Sequence, residues 1–453
     1  MGKYFGTDGI RGEANKELTV DITIRLGYAL GYYLREKNKD TNKKLKIILG
    51  SDTRISGYML RSALTAGLTA MGVSIDFVGV LPTPAIAYLT KQVGAQAGVM
   101  ISASHNPAKD NGLKVFGANG YKLPDNEEEI IEKLMDGFEE IQKCIVPGDK
   151  VGKFKYAEDE YYKYRDFLVS SINGDFSGMK IIIDAANGSA YRIAKDVFLR
   201  LGAEIVVVND APNGTNINVK CGSTHPEILS KVVVGYEADL GLAYDGDADR
   251  LIAIDKKGQI IDGDKIIATL AVLMKNTGQL KKNTVVTTVM SNMGLEEYLN
   301  KNNIKLLRAN VGDRYVLEKM IENDVVLGGE QSGHVIIHNY ATTGDGVLTS
   351  LKLVEALKNE KKGLDQMVNE IKSWPQELIN VKVNNEKKKI WDQNKNITDF
   401  IAQKEHEMDK NGRVLVRTSG TEPLIRIMVE GKEHEMVAKI VKEIAAIVEK
   451  ELN

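Results

Sequence analysis

Three aspartates stand at alternate positions in Asp245-Gly-Asp-Ala-Asp249, between the apolar runs Leu240–Ala243 and Leu251–Asp255. Tiny spacers let three carboxylates converge on one cation from a tight loop. Hard oxygen donors with no histidine or cysteine nearby favour Mg²⁺. An EF-hand also opens with this pattern, but it needs glycine at loop position 6 and glutamate at position 12. Here those positions are Arg250 and Lys256, so that reading is rejected. A solvated acidic turn explains the loop poorly, because three like charges between two apolar runs repel one another without a metal.

A second cluster is Val99-Met-Ile-Ser-Ala-Ser-His-Asn-Pro107. An apolar strand runs into a turn that Asn106 and Pro107 enforce, which exposes the side chains just before them. A serine beside His105 at a strand end is a candidate nucleophile. An isolated Ser-His pair is more often a simple turn, and no G-x-S-x-G elbow is present to suggest a hydrolase. Gly328-Gly-Glu-Gln-Ser-Gly-His334 is a third cluster, in which Glu330 and Ser332 alternate and can point the same way, a pair that suits sugar hydroxyls, although a Gly-rich turn with a helix cap explains it about as well. The fourth is Arg417-Thr-Ser-Gly-Thr-Glu-Pro423, with Arg426 three residues on. Arginines, the hydroxyls of Ser419 and Thr421, and backbone N–H groups around Gly420 suit a phosphate. Arg11 lies in the Gly-rich segment Phe5–Gly12, and Lys114 lies shortly after the Ser-His turn. Either cation suits a phosphoryl group or a proton transfer, and either is by default a surface charge.

The elements that must hold these loops show a weak internal repeat. A short β-branched run, a polar loop, an amphipathic helix and a second β run recur over Lys46–Gly79, Lys180–Asn209 and Thr284–Asn310. Each copy predicts a βαβ unit with parallel strands, and their spacing predicts three related α/β domains. After Trp374-Pro375 the pattern changes. Strands are predicted at Leu378–Val383, Arg413–Val416 and Leu424–Glu430, then a long amphipathic helix over His434–Glu449. The charged run Asn385–Lys389 reads as a solvated loop or helix start. Linkers are expected near Val151–Glu158, Asp255–Gly258 and Lys361–Trp374. The expected domains are residues 1–154, 155–255, 256–370 and 371–453, the last a smaller α+β domain.

Composition narrows the classes. The 453 residues are 43% hydrophobic and 27% charged, ordinary for a globular chain of a few domains. Sixty basic residues against 62 acidic ones give a net charge of −2, with no whole-chain attraction to nucleic acid or anionic membrane. The two cysteines, Cys144 and Cys221, have no metal-ligand spacing and form no disulfide framework, which fits a reducing compartment. No apolar h-region follows the initial Met, and the longest apolar stretch, Val73–Ile86, is broken by Asp76, Pro82 and Pro84. A cytoplasmic location without membrane insertion is expected.

Taken in order, GTDGIRG, ISASHNP, DGDADR, GGEQSGH and RTSGTEP resemble the α-D-phosphohexomutase superfamily, and its bacterial glucosamine branch in particular. DTRISG from Asp52, CGSTHPE from Cys221 and VGDRYV from Val311 support the match, which spans essentially the whole chain. The resemblance implies four domains, three of related α/β topology and a distinct C-terminal one, around a central cleft. It implies a phosphoserine at Ser104, the serine directly before His-Asn-Pro. It implies one Mg²⁺ held by Asp245, Asp247 and Asp249 that also contacts Ser104. Catalytic roles follow for His105, Lys114 and Arg11. Substrate contacts follow for Glu330, Ser332, Arg250, Arg417, Ser419, Gly420, Thr421 and Arg426. The implied activity interconverts glucosamine 6-phosphate and glucosamine 1-phosphate through a glucosamine 1,6-bisphosphate, toward cell-wall precursors. A phosphomannomutase or phosphoglucomutase is the nearest alternative. A serine-dependent metal phosphatase would need no grip on a distant phosphate, and a non-catalytic scaffold would not need Ser104 and three aspartates. Partner expectations are the phosphosugar, a homodimer and a regulatory contact with a diadenylate cyclase, with no nucleic acid.

Overall fold

The computed structural model describes residues 2–40, 44–418 and 423–453. The chain forms two compact units. One holds the residues up to Met290 together with Ile304–Val368. The other holds Ser291–Asn303 and Asn369–Asn453.

Among the described residues of the first unit, the strands form three sheets. The first contains β1 (Ile10–Glu13), β2 (Lys46–Ser51), β3 (Ser74–Val80), β4 (Ala97–Ile101), β5 (Asp110–Gly117) and β6 (Phe154–Tyr156), in the order β1-β5-β4-β2-β3-β6. The second contains β7 (Lys180–Asp184), β8 (Glu204–Val208), β9 (Leu240–Tyr244), β10 (Leu251–Asp255) and β11 (Ile260–Ile261), ordered β11-β10-β9-β7-β8. The third contains β12 (Thr284–Thr288), β13 (Lys305–Ala309), β14 (Leu327–Gly329) and β15 (Val335–Ile337), ordered β13-β12-β14-β15.

The repeat read from the sequence is present and longer than its βαβ part. In every sheet the first two strands of the copy pair in parallel. A third strand joins the first in parallel, and a fourth returns antiparallel to the third. The shared order is therefore β5-β4-β2-β3, β10-β9-β7-β8 and β15-β14-β12-β13. Ile181, Ile182 and Ile183 of β7 are wholly buried, as a parallel strand covered on both faces requires. The hairpin between third and fourth strands carries Ser104 in the first sheet, the three aspartates in the second, and Glu330 and Ser332 in the third. Three chemically different loops thus occupy one topological position.

Two stretches read as linkers belong to sheets. β6 lies within Val151–Glu158 and pairs with β3, while Asp255–Gly258 is the turn of the β10–β11 hairpin. The Gly258 turn and its flanking lysines look alike in a hairpin and in a linker.

The second unit has an antiparallel sheet of β16 (Gln376–Lys382), β17 (Gly412–Thr418) and β18 (Leu424–Gly431), with β18 central. The final helix, His434–Leu452, packs Val437, Ile440, Ile444 and Val448 against Ile425, Ile427 and Val429. Its apolar residues recur every three or four positions, which puts them on one face. A further helix, Lys395–Met408, closes the core through Ile397 and Met408, and the charged run forms the short helix Asn385–Lys388. No helix among the described residues is long and apolar enough to cross a membrane.

Candidate active site

β4 is buried along its whole length and ends where Ser102 begins the serine loop. Ser104 is buried and has a left-handed backbone, φ 52°. That conformation costs a non-glycine residue roughly 1–2 kcal/mol, so the surroundings must impose it. Its N–H donates to Ser102 Oγ at 2.9 Å, and Ser102 Oγ in turn donates to Asp52 Oδ2 at 2.6 Å. Ser102 is therefore tied into the scaffold. Ser104 Oγ is free of such ties and donates to Asp245 Oδ2 at 2.6 Å, with His105 Nδ1 at 3.3 Å.

Arg54 holds the rest of the loop. Its guanidinium pairs with Asp52 at 2.8 Å and donates to the carbonyls of Ser104, Asn106, Pro107 and Asp110. Both side chains of the pair are essentially inaccessible to solvent. A planar fork with five donors can span four carbonyls, whereas an ammonium cannot. Arg54→Lys is therefore expected to leave loop carbonyls unsatisfied, at about 1–3 kcal/mol. It should also lower kcat by about tenfold or more. Chemical denaturation and steady-state kinetics on one preparation check both; unchanged stability and turnover would count against the clamp.

The three aspartates converge as expected. Their carboxylate oxygens lie within 4.8 Å of one another, and all three residues are buried. Asp247 Oδ2 accepts from Thr83 Oγ1 at 2.5 Å and from Lys114 Nζ at 2.7 Å. Lys114, almost wholly buried on β5, also reaches Asp8 Oδ2 at 3.1 Å and Asp249 Oδ2 at 3.4 Å. Burial pulls its ammonium's pKa down, but Asp247, Asp8 and Asp249 outweigh that and the net shift is upward. Burial, then repulsion from Asp249 and Asp247, pushes the Asp245 carboxyl well above the usual range. Burial also raises Asp247, yet the Lys114 ammonium overrides it and holds that carboxyl below the usual range. Asp247 Oδ1 and Asp249 Oδ1 are buried and accept no hydrogen bond among the described residues. Two such carboxylate oxygens in an all-oxygen cluster, the Asp249 one with Arg250 Nε at 3.8 Å, fit a hard divalent cation.

The N-terminal segment supplies Arg11. β1 adds to the edge of the first sheet by pairing with β5, Arg11 opposite Gly112. Gly9, at φ +82°, lets the chain pass where a Cβ would meet Leu113 O at 2.3 Å. Arg11 pairs with Asp8, and Asp8 pairs with both Lys114 and Lys122. Lys122 continues to Asp313 at 2.5 Å. Burial, then Arg250 and Arg11, hold the His105 imidazole down to about 4, so it is neutral at pH 7.

The loop after β14 joins the same assembly. Leu251 N–H donates to Gly333 O at 3.0 Å, stitching this loop to the strand that follows the aspartates. Glu330 and Ser332 do point the same way, with Ser332 Oγ 3.4 Å from Glu330 Oε2. Gly312 N–H fixes the other Glu330 oxygen at 3.2 Å. Arg250 feels Asp249, Asp245 and Glu330, which together raise its pKa against the effect of burial.

Arg417 and Arg426 lie in the second unit, directly opposite each other on β17 and β18. Like charges so placed repel; burial and then Arg426 lower the Arg417 pKa. A bound anion would relieve that repulsion. Ser419, Gly420 and Thr421 fall outside the described residues.

Reading the sequence did not single out Asp8, Asp52, Arg54, Thr83, Lys122 or Asp313. Asp8, Asp52, Arg54 and Asp313 sit inside motifs that were visible, so a signal existed without a role. Thr83 and Lys122 had none.

Family models match nearly the whole chain. They are the phosphoglucomutase/phosphomannomutase alpha/beta/alpha domains I, II and III at residues 2–142, 159–258 and 262–373, and the C-terminal domain at 378–447. A phosphoglucosamine mutase from Fusobacterium nucleatum is 66% identical over 453 residues, the full length of both chains. One from Clostridioides difficile is 48% identical over the same span. Among solved structures, a phosphoglucomutase/phosphomannomutase family protein from Burkholderia thailandensis superposes with a TM-score of 0.80 at 23% identity, covering 99% of this chain and 98% of its own. The Aspergillus fumigatus N-acetylphosphoglucosamine mutase solved with GlcNAc-6P and magnesium gives 0.67 at 17%, covering 99% and 96%. At these identities the two structures speak for the fold alone, while the full-length matches with curated relatives decide the family: the chain belongs to the phosphoglucomutase/phosphomannomutase family, on its phosphoglucosamine mutase branch.

Proposed function

We propose that this chain interconverts glucosamine 6-phosphate and glucosamine 1-phosphate, by way of a phosphoserine at Ser104 and a glucosamine 1,6-bisphosphate intermediate. The observation that carries the reading is the Ser104 hydroxyl donating at 2.6 Å to Asp245, one of three converging buried aspartates. The full-length phosphoglucosamine mutase relatives support the choice of sugar. The product feeds UDP-N-acetylglucosamine and cell-wall precursors.

Asp245, Asp247, Asp249 and the Ser104 oxygen would hold Mg²⁺, whose charge supports phosphoryl transfer. A sugar hydroxyl attacks phosphorus as the bond to Ser104 Oγ breaks. In that step the sugar hydroxyl loses a proton and Ser104 Oγ gains one; on the return half-reaction Ser104 Oγ loses its proton as it takes the other phosphate, and the sugar oxygen released there gains one. His105, neutral and 3.3 Å from Ser104 Oγ, can hold the Ser104 hydroxyl by a hydrogen bond. Lys114 and Arg11 keep their charge and face the transferring group. Glu330, Ser332 and Arg250 orient the sugar. The bisphosphate then turns around, so that the phosphate it arrived with returns to Ser104.

Arg417 and Arg426, with Ser419, Gly420 and Thr421, are assigned to the phosphate that is not reacting. The four domains of this reading are residues 1–154, 155–255, 256–370 and 371–453, each with one of the four loops in its sequence. Arg417→Ala is expected to lower kcat/KM by about tenfold or more, the loss of a charge-assisted contact. Activity should also decay during turnover as bisphosphate escapes, and added sugar 1,6-bisphosphate should restore it. A folding defect would lower Tm and resist that rescue.

The sugar assignment is tested by comparing kcat/KM for glucosamine, mannose and glucose 1-phosphates on one preparation. A higher value for mannose or glucose overturns it in favour of a phosphomannomutase or phosphoglucomutase. A cytoplasmic homodimer that contacts a diadenylate cyclase completes the reading. Sedimentation tests the dimer, and a pull-down with the purified cyclase tests the contact.

A further inference from the structure

Arg54 is not alone on the serine loop. Asn218, whose side chain comes from the segment before Cys221, donates through Nδ2 to Ser104 O at 2.9 Å and to Asn106 O at 3.1 Å. These are the same two carbonyls that Arg54 Nη2 reaches at 2.9 and 2.8 Å. The loop is thus gripped on one pair of acceptors by two side chains 164 positions apart in sequence. Asn218 is itself buried, and its backbone is left-handed at φ 59°, a conformation that asparagine tolerates. Its N–H is anchored on Ala186 O at 3.0 Å.

The aspartate loop closes on the same point. A Cβ at Gly246 would meet Ser104 O at 2.5 Å and Asn218 Nδ2 at 2.9 Å. Gly246 O in turn accepts from Ser189 N–H at 2.8 Å. Ser104 carbonyl, Asn218 amide and the backbone between Asp245 and Asp247 therefore meet at one junction.

We propose that Asn218 is a positioning residue: together with Arg54 it holds Ser104 in its left-handed conformation, so that Oγ stays aimed at Asp245. The inference rests on Ser104 being the phosphorylated residue. Neither Asn218 nor its contacts touch the reacting atoms. The side chain acts through the Ser104 backbone, which must return to one geometry each time phosphate leaves and comes back. Small errors in such alignment are costly, since a misplacement of about 1 Å can cost about 10²-fold in rate.

Asn218→Gly is the test, because glycine fits φ 59° and removes the side chain that carries the donor without straining the backbone. The variant should lose about tenfold or more in kcat, with KM within about threefold and Tm near wild type. Asn218→Asp keeps the shape but turns an oxygen toward two carbonyls, and it should lose at least as much. Asn216→Ala is the comparison. Among the described residues that side chain bonds within its own turn, to Asn213 N and Ala211 O, and the variant's kcat should be unchanged. Near-normal kcat in either Asn218 variant overturns the proposal, as does an equal fall in Asn216→Ala. A wild-type protein whose Ser104 takes up no phosphate from a sugar 1,6-bisphosphate overturns the phosphoserine reading and this inference together. An active wild type with an indifferent Asn218 overturns this inference alone.

Discussion

Ser104→Ala is expected to abolish mutase activity, with kcat down by about 10³-fold or more, because the oxygen proposed to carry the phosphoryl group is gone. The structure separates this serine from its neighbour. Ser102 Oγ is committed at both ends, donating to Asp52 and accepting from Ser104 N–H. Ser104 Oγ faces the aspartate cluster. Ser102→Ala should therefore lower activity by loosening the loop while leaving a phosphorylatable serine. Intact mass gives an independent readout: wild type incubated with a sugar 1,6-bisphosphate should gain one phosphoryl group, as should Ser102→Ala. Ser104→Ala should gain none. Near wild-type turnover in Ser104→Ala, with loss in Ser102→Ala, would move the nucleophile to Ser102.

The loops that carry this chemistry were legible because each is short, polar and closed by turn formers between apolar strands. Asn106-Pro107 and Gly246 announce turns whatever lies around them. Their side chains could then be ranked by charge and spacing alone. The βαβ repeat was legible for a similar reason, since fully buried parallel strands read as continuous β-branched runs. The antiparallel fourth strand was read in the second repeat, as Leu251–Asp255, but was less legible in the first. β5 carries Asp110, Asn111 and Lys114 among apolar residues, and it reads as a loop until its neighbours are known. β6 and β11 are three and two residues long, too short to show a period. What holds the site was hidden for a different reason. Arg54 reaches carbonyls 50 to 56 positions away, Asn218 reaches 112 and 114, and Lys122 reaches Asp313 at 191. Such contacts depend on how sheets are placed in space, which no local pattern encodes. Their residue types gave no warning either, because a lone arginine or lysine is by default a surface group.

Asp247→Asn is expected to weaken Mg²⁺ binding by about tenfold or more and to cut turnover with it, since one of three formal charges leaves the proposed metal shell. The position is a demanding one. Oδ2 already accepts from Lys114 and Thr83, leaving Oδ1 as the buried oxygen with no hydrogen bond among the described residues. An asparagine must point either its oxygen or its NH₂ at Lys114. With the oxygen toward Lys114, the amide NH₂ faces the cation. With the NH₂ toward Lys114, donor opposes donor. Neither orientation restores the native shell. Without metal the substitution acts differently, because it removes one of three mutually repelling carboxylates. Lys114 keeps Asp8 at 3.1 Å and Asp249 at 3.4 Å as partners. The metal-free variant should therefore melt close to wild type, while the rise in Tm on adding Mg²⁺ should shrink, as that rise scales with ln(1 + [Mg²⁺]/Kd). Calorimetric titration gives the affinity, thermal melts with and without MgCl₂ give the coupling, and kinetics give the chemical cost. Unchanged Mg²⁺ affinity and normal kcat in Asp247→Asn would take this residue out of the metal shell, and its short contact with Lys114 would then be a buried ion pair and nothing more.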